Sequence, residues 1–333
     1  MKKLALLLLV LLAAQPVLMA ADPVTLTLYS SRKAHLIEPV LELYTKQTGV
    51  QFNLHTGKPG PLLERLDAAG KNGGADVLLT VDAGNLWHAA QRGLLVPIDS
   101  EALTQSVPVA LRDPENHWFG LSKRARTLAY NTEKLSPDEF SSYEDLADPK
   151  WRGRLCLRTS KKVYNQSLVA TLIAHHDVEK AEEIVKGWVA NLAAEPFSND
   201  TKALQAVAMG QCDVTIVNSY YFGRLMRKEP DLKLALFWPN QDSQGVHVNI
   251  SGGGLLKISP HPEEAKTFLE WLAQPEAQSL FAELNLEYPV REDVPPASEV
   301  QAWGEFRDDS LNLAEASRLQ ADAVRLMDRA GYR

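Results

Sequence analysis

The adjacent phenols Tyr220 and Tyr221 are the residues whose types and spacing point most directly to chemistry. They follow the apolar, β-branched run Cys212-Asp213-Val214-Thr215-Ile216-Val217. They precede Phe222-Gly223-Arg224-Leu225-Met226-Arg227, which reads as a helix start. Inside a strand, neighbouring side chains point to opposite faces; at a strand-to-helix junction both can aim at one point. In open α/β sheets the carboxyl end of a strand is also where ligands bind. Two phenolates converging there form a hard, anionic oxygen site suited to a hard trivalent cation such as Fe(III). The competing reading is two aromatic residues of the core. Other constellations carry less. His175-His176-Asp177 at the end of an apolar helix reads as a cap and surface turn. Gly252-Gly253-Gly254 lacks the Lys-Ser/Thr of a phosphate loop and reads as close packing or hinge bending. Neither a Gly-x-Ser-x-Gly elbow nor a His-Glu-x-x-His pair occurs, so hydrolase chemistry has no motif here.

The elements that must position the tyrosines alternate in type. Thr25 to Ser30, Val50 to Leu54 and Ala75 to Thr80 read as strands. Leu36 to Gln47, Leu62 to Ala69 and Val81 to Gln91 read as the helices between and after them. This β-α-β-α-β-α start implies an α/β fold with a largely parallel sheet and right-handed crossovers. A second α/β block begins near Leu121. It holds helices at about 165–175 and 178–191 and the tyrosine junction. Val246 to Gly254 reads as an extended crossing back to the first block. Helices at Pro262 to Leu272 and after Pro275 follow, and then a charged amphipathic helix from Leu311 to Asp328. The expected architecture is a hinged, two-lobed clamshell with its ligand in the cleft, each lobe a mainly parallel sheet flanked by helices. Residues 22–122 with 248–292 form one lobe, and 123–247 with 293–333 the other.

The amino end reads as a secretory signal peptide over residues 1–21. Met1-Lys2-Lys3 precedes an apolar run to Ala14, and a small-residue end allows cleavage after Ala20 or Ala21. No later segment has about 18 consecutive apolar residues, so the mature protein should be soluble. Losing Lys2 and Lys3 makes the formal charge of -7 two units more negative, which argues against nucleic acid or an anionic membrane as partner. The two cysteines of an exported chain are able to pair. Cys156 lies eight residues before Tyr164, and Cys212 eight before Tyr220. Neighbouring parallel strands in register would set the cysteines side by side and deliver both tyrosines to one end. A Cys156–Cys212 bridge is the expectation from this spacing, and two buried thiols the alternative.

Taken together, several segments resemble the periplasmic ferric-iron-binding proteins of bacterial ABC importers, which have the bilobal type II binding-protein fold. They include Leu28-Tyr29-Ser30-Ser31-Arg32, Ser122-Lys123-Arg124-Ala125-Arg126 and Tyr143 to Arg154. Others are Tyr164-Asn165-Gln166-Ser167-Leu168, Asn218 to Arg224, His247 to Gly252 and Glu287-Tyr288-Pro289-Val290. The resemblance implies that Tyr220 and Tyr221 are iron ligands and that Tyr164 is a third. Many members place His-Tyr after the Ser-Ser-Arg segment, where this chain has Lys33 and Ala34. That departure implies the subgroup using three tyrosines plus a synergistic anion, usually carbonate, held by Arg32 and Arg124 with Lys33 assisting. His35 is a displaced candidate ligand. The resemblance further implies a monomer that delivers iron from the periplasm to an inner-membrane ABC permease, and no enzymatic activity. On the residues alone, Arg32 reads first as an ordinary surface ion pair, Lys123-Arg124-Arg126 as a solvated charge run, and the three tyrosines as an aromatic cage for another small solute, an organic cation or a phosphorylated metabolite. A secreted enzyme using a tyrosine-bound metal as Lewis acid is the remaining alternative.

Overall fold

The computed structural model describes residues 23–70 and 73–333; the signal peptide expected over residues 1–21 lies outside them. The first block runs β1 (Thr25–Ser30), α1 (Glu38–Thr48), β2 (Gln51–Thr56), α2 (Pro59–Ala69), β3 (Val77–Val81), α3 (Ala83–Gln91), β4 (Leu95–Val96) and α4 (Glu101–Ser106). Local chemistry sets these limits. Gly49 closes α1 in the left-handed conformation, and the Asp82 carboxylate caps α3 by accepting from Gly84 N. The second block comprises β5 (Phe119–Asn131), β6 (Leu155–Cys156), α5 (Val163–His175), α6 (Val178–Ala190), α7 (Asp200–Ala208), β7 (Val214–Asn218), α8 (Ser219–Lys228) and β8 (Leu234–Phe237). The chain returns through β9 (Val248–Leu256), α9 (Pro262–Leu272) and α10 (Pro275–Asn285). It ends with α11 (Ser298–Gln301), α12 (Leu313–Arg318) and α13 (Gln320–Arg329).

The strands follow the order β2-β1-β3-β9-β5-β7-β6, with β4 on β9 and β8 on β5. Among the strands of the described residues, parallel pairing joins β1 with β2 and β3, and β6 with β7. The long strands β5 and β9 run antiparallel to their neighbours. They are the crossings between lobes, so no helical crossover forces them parallel. The first half of β5 pairs with β9 and the second half with β7 and β8, so a single strand belongs to both lobes. The Gly252–Gly254 run lets the backbones pack tightly there. A Cβ on Gly252 would sit 2.5 Å from the Phe119 carbonyl oxygen, and one on Gly254 2.6 Å from that of His117.

One apolar core lies around β1–β3 and β9, and a second around the latter half of β5, β7, α5 and α6. The terminal amphipathic helix expected from Leu311 to Asp328 is broken at Leu319. Leu313 joins the first core, whereas Ala323, Leu326 and Met327 join the second. A straight helix cannot bury residues in both, which accounts for the break. A third link runs beside the two crossings: Asp309 N donates to Val246 O at 2.9 Å, and Lys123 exchanges backbone hydrogen bonds with Tyr288.

Cys156 and Cys212 are bonded, closing a separation of 56 residues. Their strands are neighbours and parallel, as the spacing suggested, but not in the expected register. Cys156 faces Thr215, and Cys212 lies in the turn before β7. Side-by-side cysteines within a sheet make poor disulfide geometry; placing one in the preceding turn avoids it.

Candidate metal centre

Helix α8 starts at Ser219, three residues before the expected start, so Tyr220 and Tyr221 both lie in its first turn at the carboxyl end of β7. Their ring centroids are 4.5 Å apart. Tyr164 also lies in a first helical turn, that of α5. Its hydroxyl lies near enough to that of Tyr220 for the two phenols to influence each other's ionisation. Three phenols from two helix amino ends therefore meet at one point. The unsatisfied amides and the dipole of each first turn favour negative charge there. Burial, and then the neighbouring Tyr221, pushes Tyr164 above the usual phenol value, while Arg124 opposes the shift. Burial, and then Tyr164 and Tyr221, pushes Tyr220 well above it. Both phenols are therefore protonated at neutral pH without a cation.

Arginines surround the rings. The Arg124 guanidinium stands 5.7 Å from the Tyr164 centroid, Arg158 stands 5.1 Å from Tyr164 and 5.8 Å from Tyr221, and Arg224 stands 4.8 Å from Tyr220. The phenols of Tyr221 and Tyr164 both favour the charged form of Arg158. Arg124 and Arg126 are each only 2% exposed, so the basic segment of β5 is no solvated charge run. The two arginines differ in one respect. Arg126 donates to Asp200 at 3.3 Å, to Asn218 Oδ1 at 3.0 Å and to Asn165 Oδ1. Both terminal nitrogens of Arg124 are buried without any hydrogen-bond partner. A buried guanidinium in that condition costs free energy unless an acceptor completes it.

Arg32, at the end of β1, is buried and partnered. It donates to Asn285 Oδ1 and Ser251 Oγ, and to Glu287 at 3.0 Å. Burial would raise the Glu287 pKa, but the Arg32 and Arg124 charges and the Ser122 hydroxyl hold it below the ordinary carboxylate range. Glu287 is thus the anionic group between the two arginines. Lys33 and His35 are exposed, with His35 in a single 3-10 turn (Ala34–Leu36). The pair His175-His176 serves the surface as expected: His175 bonds Asp309 and His176 bonds Glu144, each at 2.7 Å. Among the described residues no three His, Cys, Asp or Glu side chains cluster as a metal cage.

Sequence reasoning missed Arg158, Arg224 and the platform beneath the tyrosines. Arg224 was legible, since it follows Tyr220 by four residues and shares its helix face. Arg158 precedes Tyr164 by six residues across a turn, a spacing without a signal. The platform centres on Asp200, fully buried, which accepts from Arg126, from Arg158 at 3.3 Å and from Asn218 N at 3.0 Å. Asn218 in turn donates to the Tyr220 hydroxyl at 3.2 Å.

Residues 40–308 match the family described as bacterial extracellular solute-binding protein. Iron uptake protein A1 of Synechocystis sp. is 43% identical over 314 residues, covering 92% of this chain and 87% of that protein. The major ferric iron-binding protein of Neisseria meningitidis serogroup B is 27% identical over 338 residues, covering 99% and 98%. A solved structure described as Trichodesmium (IdiA) (FutA) in complex with iron and citrate ligands matches with a TM-score of 0.90 and 47% identity. That match covers 93% of this chain and 100% of the other.

Proposed function

The chain belongs to the bacterial extracellular solute-binding proteins, and from that premise we propose that it captures Fe(III) in the periplasm for an inner-membrane ABC permease. Tyr164, Tyr220 and Tyr221 supply three phenolate oxygens, and a carbonate-type anion supplies two more. The observation that carries this reading is the convergence of three phenols beside a buried arginine whose terminal nitrogens lack acceptors. Arg124 is the principal anion anchor, because its planar fork matches a planar oxyanion. Arg32 is secondary, since both its terminal nitrogens already serve protein acceptors. Lys33 and His35 lie at the exposed end of the same segment and act only if the lobes close over the anion.

Phenols with raised pKa values yield their protons only to a strong Lewis acid. Fe(III) binding therefore releases protons and weakens in acid. The aromatic-cage alternative fits less well. Every ring already has an arginine against it, and that positive charge repels an organic cation. The relatives named above are described as iron uptake or ferric iron-binding proteins. We read this chain likewise as a monomeric carrier and not an enzyme.

The test is a ferric titration of metal-stripped mature protein, with and without bicarbonate, following the visible phenolate-to-iron charge-transfer band. The expected result is saturation at one iron per chain, strengthened by bicarbonate and abolished by Tyr220→Phe with Tyr221→Phe. Absence of any band under both conditions would refute the ferric reading.

A further inference from the structure

The penultimate residue of the chain, Tyr332, is only 3% exposed and lies at the base of the tyrosine site. Its hydroxyl donates to Arg158 O at 2.5 Å and accepts from Asn165 Nδ2 at 2.7 Å. Arg158 and Asn165 bracket the turn that leads from β6 into α5, and Asn165 directly follows Tyr164. The Asn165 amide also donates to Arg158 O at 2.8 Å and Thr159 O at 3.1 Å, while its carbonyl accepts from Arg126. Ser160 N donates to Arg333 O at 3.1 Å, so the backbone of the last residue ties down the same turn. The tether is anchored from below: Leu326, Met327, Ala330 and Tyr332 pack into the second core with Leu168 and Leu172 of α5. Burial pushes the Tyr332 phenol above its usual pKa, so it remains a neutral donor.

We propose that Tyr332 is a positioning residue for cargo binding: the docked carboxyl terminus holds the 158–165 turn so that Tyr164 meets Tyr220 and Tyr221. The inference rests on the ferric reading of the site. Without the Tyr332 hydroxyl, the turn loses one donor and one acceptor at its centre; the bonds to Arg126, Asp200 and Phe197 still hold its edges, and the backbone of Tyr164 gains freedom. The other two phenols sit on α8, which Tyr332 does not touch through its hydroxyl, and they remain in place. The loss therefore falls chiefly on Tyr164, whose backbone belongs to the turn, whereas Arg158 of the same turn meets Tyr221 only through its side chain, 5.8 Å from the ring.

The decisive experiment combines Tyr332→Phe, which deletes only the hydroxyl, with Tyr164→Phe in a double-mutant cycle. Hydrogen exchange of the apo proteins reads the tether itself, and transfer of iron to a competing chelator reads its consequence. In Tyr332→Phe, amides of residues 158–165 exchange faster while those of α8 are unchanged, and iron release accelerates about tenfold, the effect of one buried hydrogen bond. In the Tyr164→Phe background the same substitution still speeds exchange but leaves iron release unaltered, because the ligand it positions is gone. Unchanged exchange in the turn would overturn the tether. Full additivity of the two substitutions on iron release would overturn the positioning role. Absence of the charge-transfer band in the parent protein would instead remove the ferric reading beneath it, and the positioning role with it.

Discussion

Replacing Arg124 with methionine should separate stability from function, because the terms acting on the two have different origins. The guanidinium is 2% exposed and neither terminal nitrogen finds an acceptor on the protein. Each such buried donor costs about 1–3 kcal/mol, and Met keeps most of the apolar stem in place while removing that cost. Against this stands the attraction of the Arg124 charge to Asp82 and Glu287, both of which it stabilises as carboxylates. No oxygen of either lies within salt-bridge distance of Arg124. At an effective dielectric constant near 20 each of these two longer separations is worth roughly 1–3 kcal/mol, the same size as the cost of each of the two orphaned nitrogens. The opposing terms nearly cancel, so the apo protein should change stability by no more than ~1.5 kcal/mol. Breaking one member of a fully paired buried ion pair would cost about 3–5 kcal/mol instead. Anion-assisted iron binding behaves differently. Two charge-assisted hydrogen bonds to an oxyanion, at ~1.5–3 kcal/mol each, amount to at least about 3 kcal/mol, more than a hundredfold in affinity. The assay pairs urea melts of the apo variant with ferric titrations in the presence and absence of bicarbonate. A large loss of apo stability would make Arg124 a structural cation. A bicarbonate response equal to that of the parent would place the anion elsewhere. Either result would refute the reasoning.

Three further outcomes follow from buried groups elsewhere. Replacing Cys156 and Cys212 together by serine should cost roughly 4 kcal/mol, the loop-closure value for this separation, in thermal or urea unfolding, while iron still binds below the lowered midpoint. Asp200→Asn leaves Arg126 and Arg158 without their shared carboxylate and should destabilise by about 3–5 kcal/mol in urea unfolding. His247 and Asp82 act oppositely on stability as pH changes. Burial, then Arg126 and Arg124, lowers His247 to about 3, so the stability it contributes is present above its unfolded value near 6.5 and is lost as pH falls toward 3. Burial raises Asp82 to about 6 against the pull of Arg124, so its contribution is present below its unfolded value near 3.8 and lost as pH rises through about 6. Urea midpoints of Asp82→Asn across that window should therefore decline more steeply on acidification than those of the parent; a parallel decline would show that Asp82 does not titrate there.

The iron-binding reading was legible in local patterns, and its supporting structure was not. Helix α9 runs from Pro262 to Leu272 as its periodicity and proline start require, and the strand–helix junction carries Tyr220 and Tyr221 in one helical turn. Such features depend on neighbours within about four residues, where capping, propensity and side-chain direction act directly. The cysteine pairing was also legible, because both residues flank short apolar strands. Its register was not, since a three-residue offset depends on where β7 enters the sheet and leaves no mark in the spacing.

What only the tertiary structure decided are the partners brought together from far along the chain. Arg32 and Arg124 look alike as sequence. Yet Glu287, Asn285 and Ser251 converge on the first, and no acceptor reaches the terminal nitrogens of the second. Arg158, Asp200 and Tyr332 carry no motif, and each acquires a role only where packing sets it beneath the tyrosines. The sequence by itself offered the donors for the proposed ligand chemistry, because the charge and hardness by which Fe(III) selects phenolate oxygens are properties each side chain owns. The fold decided which cation remains open for an anion and which groups hold the donors still, because both depend on burial and on contacts between residues distant in sequence.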